Sequence, residues 1–280
     1  MTTVSGPLSR LALLLLCVGC AQAQGLSGTA CAGDRLYSGS FELHEIPDAS
    51  AGSIAPATGD VSATVMVPAT GMTRPFHLRV PPHYDPGVAW PLLVVLHGAP
   101  GSPALSDGYA RDVRTALATL ADSRGFVVLA PVASGPTAGS WNPPGDGAAI
   151  FAMIAEVEAR YRIDRRRRYL WGFSAGGHYG HGVVLANAGF FAAYGVNAGV
   201  LAAFATTAAP ALATRRIPVS IRVGSADSLA PLASSDRGVF TAAGWQDGLD
   251  LQHAEFSGGH TYNVAELLAH WDAACRWSRP

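Results

Sequence analysis

Apolar and polar positions change rhythm along this chain, and the change divides it. Residues 24 to about 60 are rich in Gly, Ala, Ser and Asp and keep no sustained period, which reads as a loose leader. Val61–Val67 and Pro75–Val80 then form an antiparallel strand pair, with Thr70 and Gly71 in the turn and Pro81-Pro82 as the stop. From Pro91 onward strands and helices alternate. Leu92–Leu96 is a continuous apolar run, as a strand buried on both faces requires. Val113, Ala116, Leu117 and Leu120 recur at helical spacing, with Gly125 at the helix end. Phe126–Ala130 is the next buried strand, and Ile150, Met153, Ile154, Val157 and Tyr161 mark another amphipathic helix. Tyr169–Trp171 is a short strand running directly into Gly172. Ala192–Val196, Val219–Val223 and Leu249–Phe256 are further strands, and Val264, Leu267, Leu268, Trp271 and Cys275 stripe a terminal helix. The pattern predicts an α/β fold, with a mostly parallel, doubly wound sheet preceded by the antiparallel pair. About 20 residues separate Asn197 from Ile217, too few for a lid domain, so an open site is expected.

The first residues carry a different signal. Arg10 precedes an apolar run, Leu11–Gly19, and Ala21-Gln22-Ala23 has the small-x-small form of a cleavage site. Residues 1–23 are therefore expected to be an export signal, since about 9 apolar residues fall far short of the ~20 that span a bilayer. Cys20, after Leu16-Cys17-Val18-Gly19, offers an alternative as the lipidated cysteine of a lipoprotein signal. Secretion or periplasmic release is the first expectation, and an envelope anchor through Cys20 the second. Both leave Cys31 and Cys275, a pair that reads as a disulfide in an oxidising compartment.

Composition narrows the classes of function. The chain has 280 residues, 49% hydrophobic and 14% charged, enough apolar surface for one large core over residues 61–280. A net charge of −1 gives no reason to expect a nucleic acid partner. The run Arg165–Arg168 reads as a solvated loop with its aliphatic stems packed down. His178 and His181 lie three apart but lack a third ligand in a recognisable spacing, so no metal and no cofactor is expected.

Three segments carry chemistry. Gly172-Phe173-Ser174-Ala175-Gly176-Gly177 lies between a strand and a helix, the setting of a nucleophile elbow. The sharp turn strains the serine backbone, and side chains two positions to either side would clash within it. Leu96-His97-Gly98-Ala99-Pro100-Gly101 follows a buried strand, so its small residues let backbone amides reach a substrate carbonyl. Ala99 and Ala175 are the candidate oxyanion donors, and His97 is read as structural. Downstream, Ser257-Gly258-Gly259-His260 can deliver an imidazole as base, and Gly224-Ser225-Ala226-Asp227 a carboxylate that fixes its tautomer. Asp236, Asp247 and Asp250 are rivals placed less suitably. Trp141 and Tyr262 are candidate pocket walls.

These segments resemble the polyhydroxybutyrate depolymerase, feruloyl esterase and acetylxylan esterase group of α/β-hydrolases. The matching pieces are R-P-F-H-L-R-V-P-P-H-Y from Arg74, P-L-L-V-V-L-H-G, G-F-S-A-G-G, S-A-D and G-G-H-T-Y. The resemblance implies an ester hydrolase with Ser174 as nucleophile, Asp227 as acid, His260 as base and an oxyanion hole near Ala99. Its ester substrate would be a small molecule, a polysaccharide-linked ester or a polyester oligomer. The loop after Gly98 reads Ala-Pro-Gly-Ser, without the Cys or glycine run of some depolymerases, so a crystalline polymer is not implied. Two rival readings keep the fold: a peptidase related to the prolyl-oligopeptidase catalytic domain, and a non-catalytic envelope binding protein.

Overall fold

The computed structural model describes residues 36–37, 49–52, 57–204 and 206–279. In chain order its elements are β1 (Leu36–Tyr37), β2 (Gly59–Val67), β3 (Met72–Val80), β4 (Trp90–Leu96), α1 (Ser106–Ala116), α2 (Ala118–Arg124), β5 (Val127–Pro131), α3 (Pro143–Arg160), β6 (Ile163–Phe173), α4 (Ala175–Ala186), β7 (Ala193–Asn197), α5 (Ala209–Leu212), β8 (Val219–Gly224), α6 (Ala230–Ala242), β9 (Leu251–Phe256), α7 (Val264–Ala274) and β10 (Trp277–Ser278).

Eight strands form one sheet in the order β2-β3-β5-β4-β6-β7-β8-β9. β3 runs antiparallel to both β2 and β5, and every pairing from β5 to β9 is parallel. Strand period decides what each face buries. On β4, Leu92, Val94 and Leu96 enter one apolar cluster with α3, α4 and α6, while Leu93 and Val95 enter the other with α1, α2 and α7. Helices therefore cover both faces, as a parallel sheet demands.

The helix expected over Val113–Leu120 is two, joined at Leu117, and α2 stops at Gly125, whose left-handed φ of 71° lets its N–H bond Ala121 O. Between β7 and β8 the described chain holds a one-turn 3-10 segment, Leu201–Phe204, and the four-residue α5.

One expectation needs correction. Arg165–Arg168 are not a solvated loop but a bulged stretch of β6, where pairing jumps from Trp90↔Ile163 to Leu92↔Arg168. The arginines are held there by acids: Glu158 of α3 binds Arg165 and Arg168, and Asp164 binds Arg167. Arg168 is buried and its guanidinium lies 4.1 Å from the Phe190 ring centroid. Before residue 60 few residues are described, and two of those stretches are joined to the rest of the fold. β1 pairs with β10, and buried Ser50 donates its hydroxyl to Tyr161 O (2.7 Å) and accepts Ile163 N–H (2.8 Å). The export segment, Cys20 and Cys31 lie outside the described residues.

Candidate active site

Ser174 sits at the junction of β6 and α4 with φ 51° and ψ −121°, a backbone state rare for any residue with a side chain. The flanking glycines have a measurable reason. A Cβ on Gly172 would lie 2.3 Å from Gly176 O, and one on Gly176 would lie 2.2 Å from Leu96 O. Only hydrogens fit on either side of the turn, which lifts Ser174 above the C-terminal edge of the sheet. Its N–H is held by Asn197 O at the end of β7 (2.9 Å).

The last two strands of the sheet, β8 and β9, supply the other two groups. The turn after β8 carries Asp227 and the loop after β9 carries His260. Ser225 N–H bonds Phe256 O and Ala226 N–H bonds Gly258 O, both at 2.8 Å, so the two loops are tied together. Gly224 makes this approach possible, because a Cβ there would lie 2.2 Å from Gly259 O. Asp227 is buried, and Leu229 N–H occupies its Oδ1 at 2.9 Å. Its Oδ2 accepts from His260 Nδ1 at 2.8 Å, and His260 Nε2 stands 2.8 Å from Ser174 Oγ. A carboxylate here only accepts, so the proton belongs on Nδ1 and the Nε2 lone pair faces the serine hydroxyl. The His260 side chain is 42% exposed, open to an incoming substrate.

The rival aspartates are engaged elsewhere. Asp236 accepts Leu201 N–H (2.9 Å), Asp247 pairs with Arg237, and Asp250 accepts Gln246 N–H and pairs with Arg216. Ala175 opens α4, so its N–H belongs to the first turn, which the helix cannot satisfy. The loop carrying Ala99 is beside it: a Cβ on Gly98 would lie 3.3 Å from Ser174 Cβ. His97 is structural as expected. Its Nε2 accepts Ala133 N–H at 3.2 Å, which leaves Nδ1–H for Gly98 O at 2.7 Å.

Trp141 is not a pocket wall. It is 4% exposed, stacks on Tyr179 and donates Nε1–H to His97 O at 2.9 Å, so it props the 97–101 loop from beneath. Tyr262 is partly exposed and meets the Phe173 ring at 4.9 Å, which in turn lies 5.1 Å from the His260 ring. Phe173 thus flanks the imidazole on one side, with Tyr262 packed against Phe173. His178, one turn into α4, accepts Val200 N–H at 2.7 Å, and burial holds its pKa below the ordinary imidazole value.

One residue of the site was not anticipated from the sequence. Asn197 is fully buried; its carbonyl holds Ser174 N–H and its side-chain amide donates to Thr261 O at 2.9 Å. It therefore ties the serine turn to the residue following His260. The sequence signal was present, a lone polar residue ending the apolar strand Ala193–Asn197.

An alternately wound α/β sheet, a strained serine and a histidine-carboxylate relay at its C-terminal edge define a serine hydrolase of the α/β-hydrolase fold. The chain belongs to the polyhydroxybutyrate depolymerase esterase family, whose model matches residues 76–235. A bifunctional acetylxylan esterase/xylanase of Neocallimastix patriciarum is 35% identical over 111 residues, 39% of this chain and 15% of that protein. The chain thus spans a small part of that curated relative. A ferulic acid esterase structure superposes with a TM-score of 0.61 at 16% identity, covering 78% of this chain and 97% of the other. Porphyromonas gingivalis dipeptidyl peptidase 4 superposes with a TM-score of 0.57 at 15% identity, covering 76% of this chain and 34% of the other. At such identities the superpositions establish the fold.

Proposed function

We propose that the chain cleaves carboxylic esters through an acyl-enzyme on Ser174. The observation that carries this is the unbroken relay, Ser174 Oγ to His260 to Asp227, at 2.8 Å per link. His260 Nε2 takes the serine proton as Oγ attacks the ester carbonyl, and Asp227 stabilises the imidazolium. The developing oxyanion faces the amides of Ala175 and Ala99, donors of a kind typically worth 10²–10³-fold in rate. His260 then protonates the leaving alcohol, and a water activated by the same imidazole releases the acid.

For substrates, the family and the acetylxylan esterase relative favour short acyl or aromatic acyl esters of sugars and hydroxyacids. Methyl ferulate, acetylated xylan and hydroxybutyrate oligomers form the discriminating panel. Turnover of p-nitrophenyl acetate or butyrate, with no turnover of aminoacyl p-nitroanilides, is the expected result. The reverse preference would replace this reading with a peptidase. Failure of a fluorophosphonate probe to label Ser174 would leave only a binding module.

Export belongs to the same proposal, on the strength of Arg10, the apolar run after it and Ala21-Gln22-Ala23. No helix among the described residues is long and apolar enough to cross a membrane. Sequencing the mature N-terminus and labelling with a radioactive fatty acid separate release after Ala23 from lipidation at Cys20. A Cys31–Cys275 bridge is part of it too. The β1–β10 pairing, Leu36↔Trp277, brings chain five residues after Cys31 alongside chain two residues after buried Cys275. Two titratable thiols in the denatured mature protein would overturn the bridge.

A further inference from the structure

A second hydroxyl, imidazole and carboxylate lie in line on the opposite flank of the sheet. The β2–β3 register sets Ser62 directly across from His77. Ser62 Oγ is 2.9 Å from His77 Nδ1, and His77 Nε2 is 2.8 Å from Asp107 Oδ1, on the first turn of α1. The three differ sharply in exposure: the His77 side chain is 2% exposed, the Asp107 side chain 46%, and Ser62 is open to solvent.

The hydrogen positions follow from what each group can do. A carboxylate accepts, so Asp107 holds the proton on Nε2 and leaves the Nδ1 lone pair aimed at the Ser62 hydroxyl, which donates. Burial keeps His77 below the ordinary imidazole pKa; Asp107 opposes this, while Arg111 and Arg114 assist it. At neutral pH the ring is therefore a free base with its acceptor nitrogen on an exposed serine. The nitrogens have exchanged roles relative to His260, but the logic is the same: a base in contact with the hydroxyl and an anion behind the base.

We propose that Ser62 is a second nucleophilic serine, a site that takes one acyl or phosphonyl group from an activated donor. With a fluorophosphonate, the Ser62 Oγ–P bond forms and the P–F bond breaks. The serine proton passes to His77 Nδ1 and leaves with fluoride. With an activated ester, the Oγ–C bond forms and the departing alkoxide takes that proton. Ser62 lies mid-strand rather than at a helix N-terminus, so the inference is of a covalent modification and not of turnover.

The experiment uses Ser174→Ala protein, which removes the first nucleophile, and an excess of fluorophosphonate probe read by peptide mapping. A positioned base typically contributes 10²–10⁴-fold, so Ser62 is expected to gain the adduct at least ~10-fold faster than exposed Ser234. His77→Gln and Asp107→Asn, each added to Ser174→Ala, are expected to remove that excess. Ester hydrolysis by the same two variants with Ser174 intact shows that they fold. Asp107→Asn, at a half-exposed position, carries the test if His77→Gln does not. Ser62 labelling no faster than Ser234, or an excess that survives loss of His77 and of Asp107, would reduce the trio to a cross-strand tie.

Discussion

At the scale of single residues, the site depends on groups that hold others in place as much as on the serine itself. Ser174→Ala is expected to lower ester turnover by a factor on the order of 10⁶, as nucleophile losses do in serine hydrolases. Asp227→Asn tests a subtler point. Asparagine keeps the volume but offers its amide to Nδ1, so the imidazole takes the wrong tautomer and kcat is expected to fall ~10⁴-fold. Steady-state kinetics with p-nitrophenyl butyrate checks both, and a residual rate within tenfold of the parent would dissolve either role. Asn197 makes a third case, because it touches neither substrate nor the reacting atoms. Its amide donates to Thr261 O, so Asn197→Ala frees the His260 loop while leaving its side chains intact. Small misplacements of a catalytic base cost on the order of 10²-fold, and the loss is expected in kcat with KM nearly unchanged. Equal losses in both would argue for general loosening of the fold.

At the scale of elements, the structure explains why some segments could be read from the sequence and others could not. The serine turn was legible because its constraint is local: the glycines at 172 and 176 answer contacts within the turn and with the adjoining β4 end. Asp227 and His260 were legible because chain order and strand ends restrict where an acid and a base can stand. Arg168 was not. Its partner Glu158 is on α3, across a bulge that four consecutive arginines do not announce. Likewise Leu36 meets Trp277 from the far end of the chain, a pairing no local period reveals. Trp141 was misplaced for a related reason, since an aromatic near a catalytic loop reads equally as wall or as prop. The Arg168 pair yields an element-scale prediction. Both side chains are under 10% exposed, so Glu158→Ala strands a buried guanidinium and weakens α3 against β6. Breaking such a pair typically costs 3–5 kcal/mol. Urea denaturation is expected to report about that loss, with kcat per folded molecule unchanged. A loss under ~1 kcal/mol would mean that the Phe190 stack suffices to hold the guanidinium.

At the scale of the whole molecule, buried titratable groups set how the fold responds to acid. His181 and His270 are fully enclosed, and burial pushes both down to about 3 from 6.5. Each folded-state pKa lies below its unfolded value, so between pH 6.5 and 3 the unfolded chain binds a proton that the folded chain refuses. Stability from each histidine is complete above pH 6.5 and is lost as the pH falls, by up to ~1.4 kcal/mol per pH unit. Asp236 works the other way. Burial raises it to about 6 from 3.8, so between those values the folded chain holds the extra proton. That term strengthens the fold as the pH falls to about 4. Over pH 4–6 the three groups thus leave a net of one proton favouring the unfolded state. Comparing variants isolates each contribution, because every other group titrates alike in parent and variant. His270→Gln is expected to flatten the plot of unfolding free energy against pH by ~1.4 kcal/mol per unit over that window. Asp236→Asn, which keeps an acceptor for Leu201 N–H, is expected to steepen it by a similar amount. Chemical denaturation at pH 4.5, 5, 5.5 and 6 reads both slopes. The opposite signs are the decisive feature: a general loss of packing displaces the whole line downward, whereas only a changed proton count rotates it, in one direction for the histidine and in the other for the aspartate.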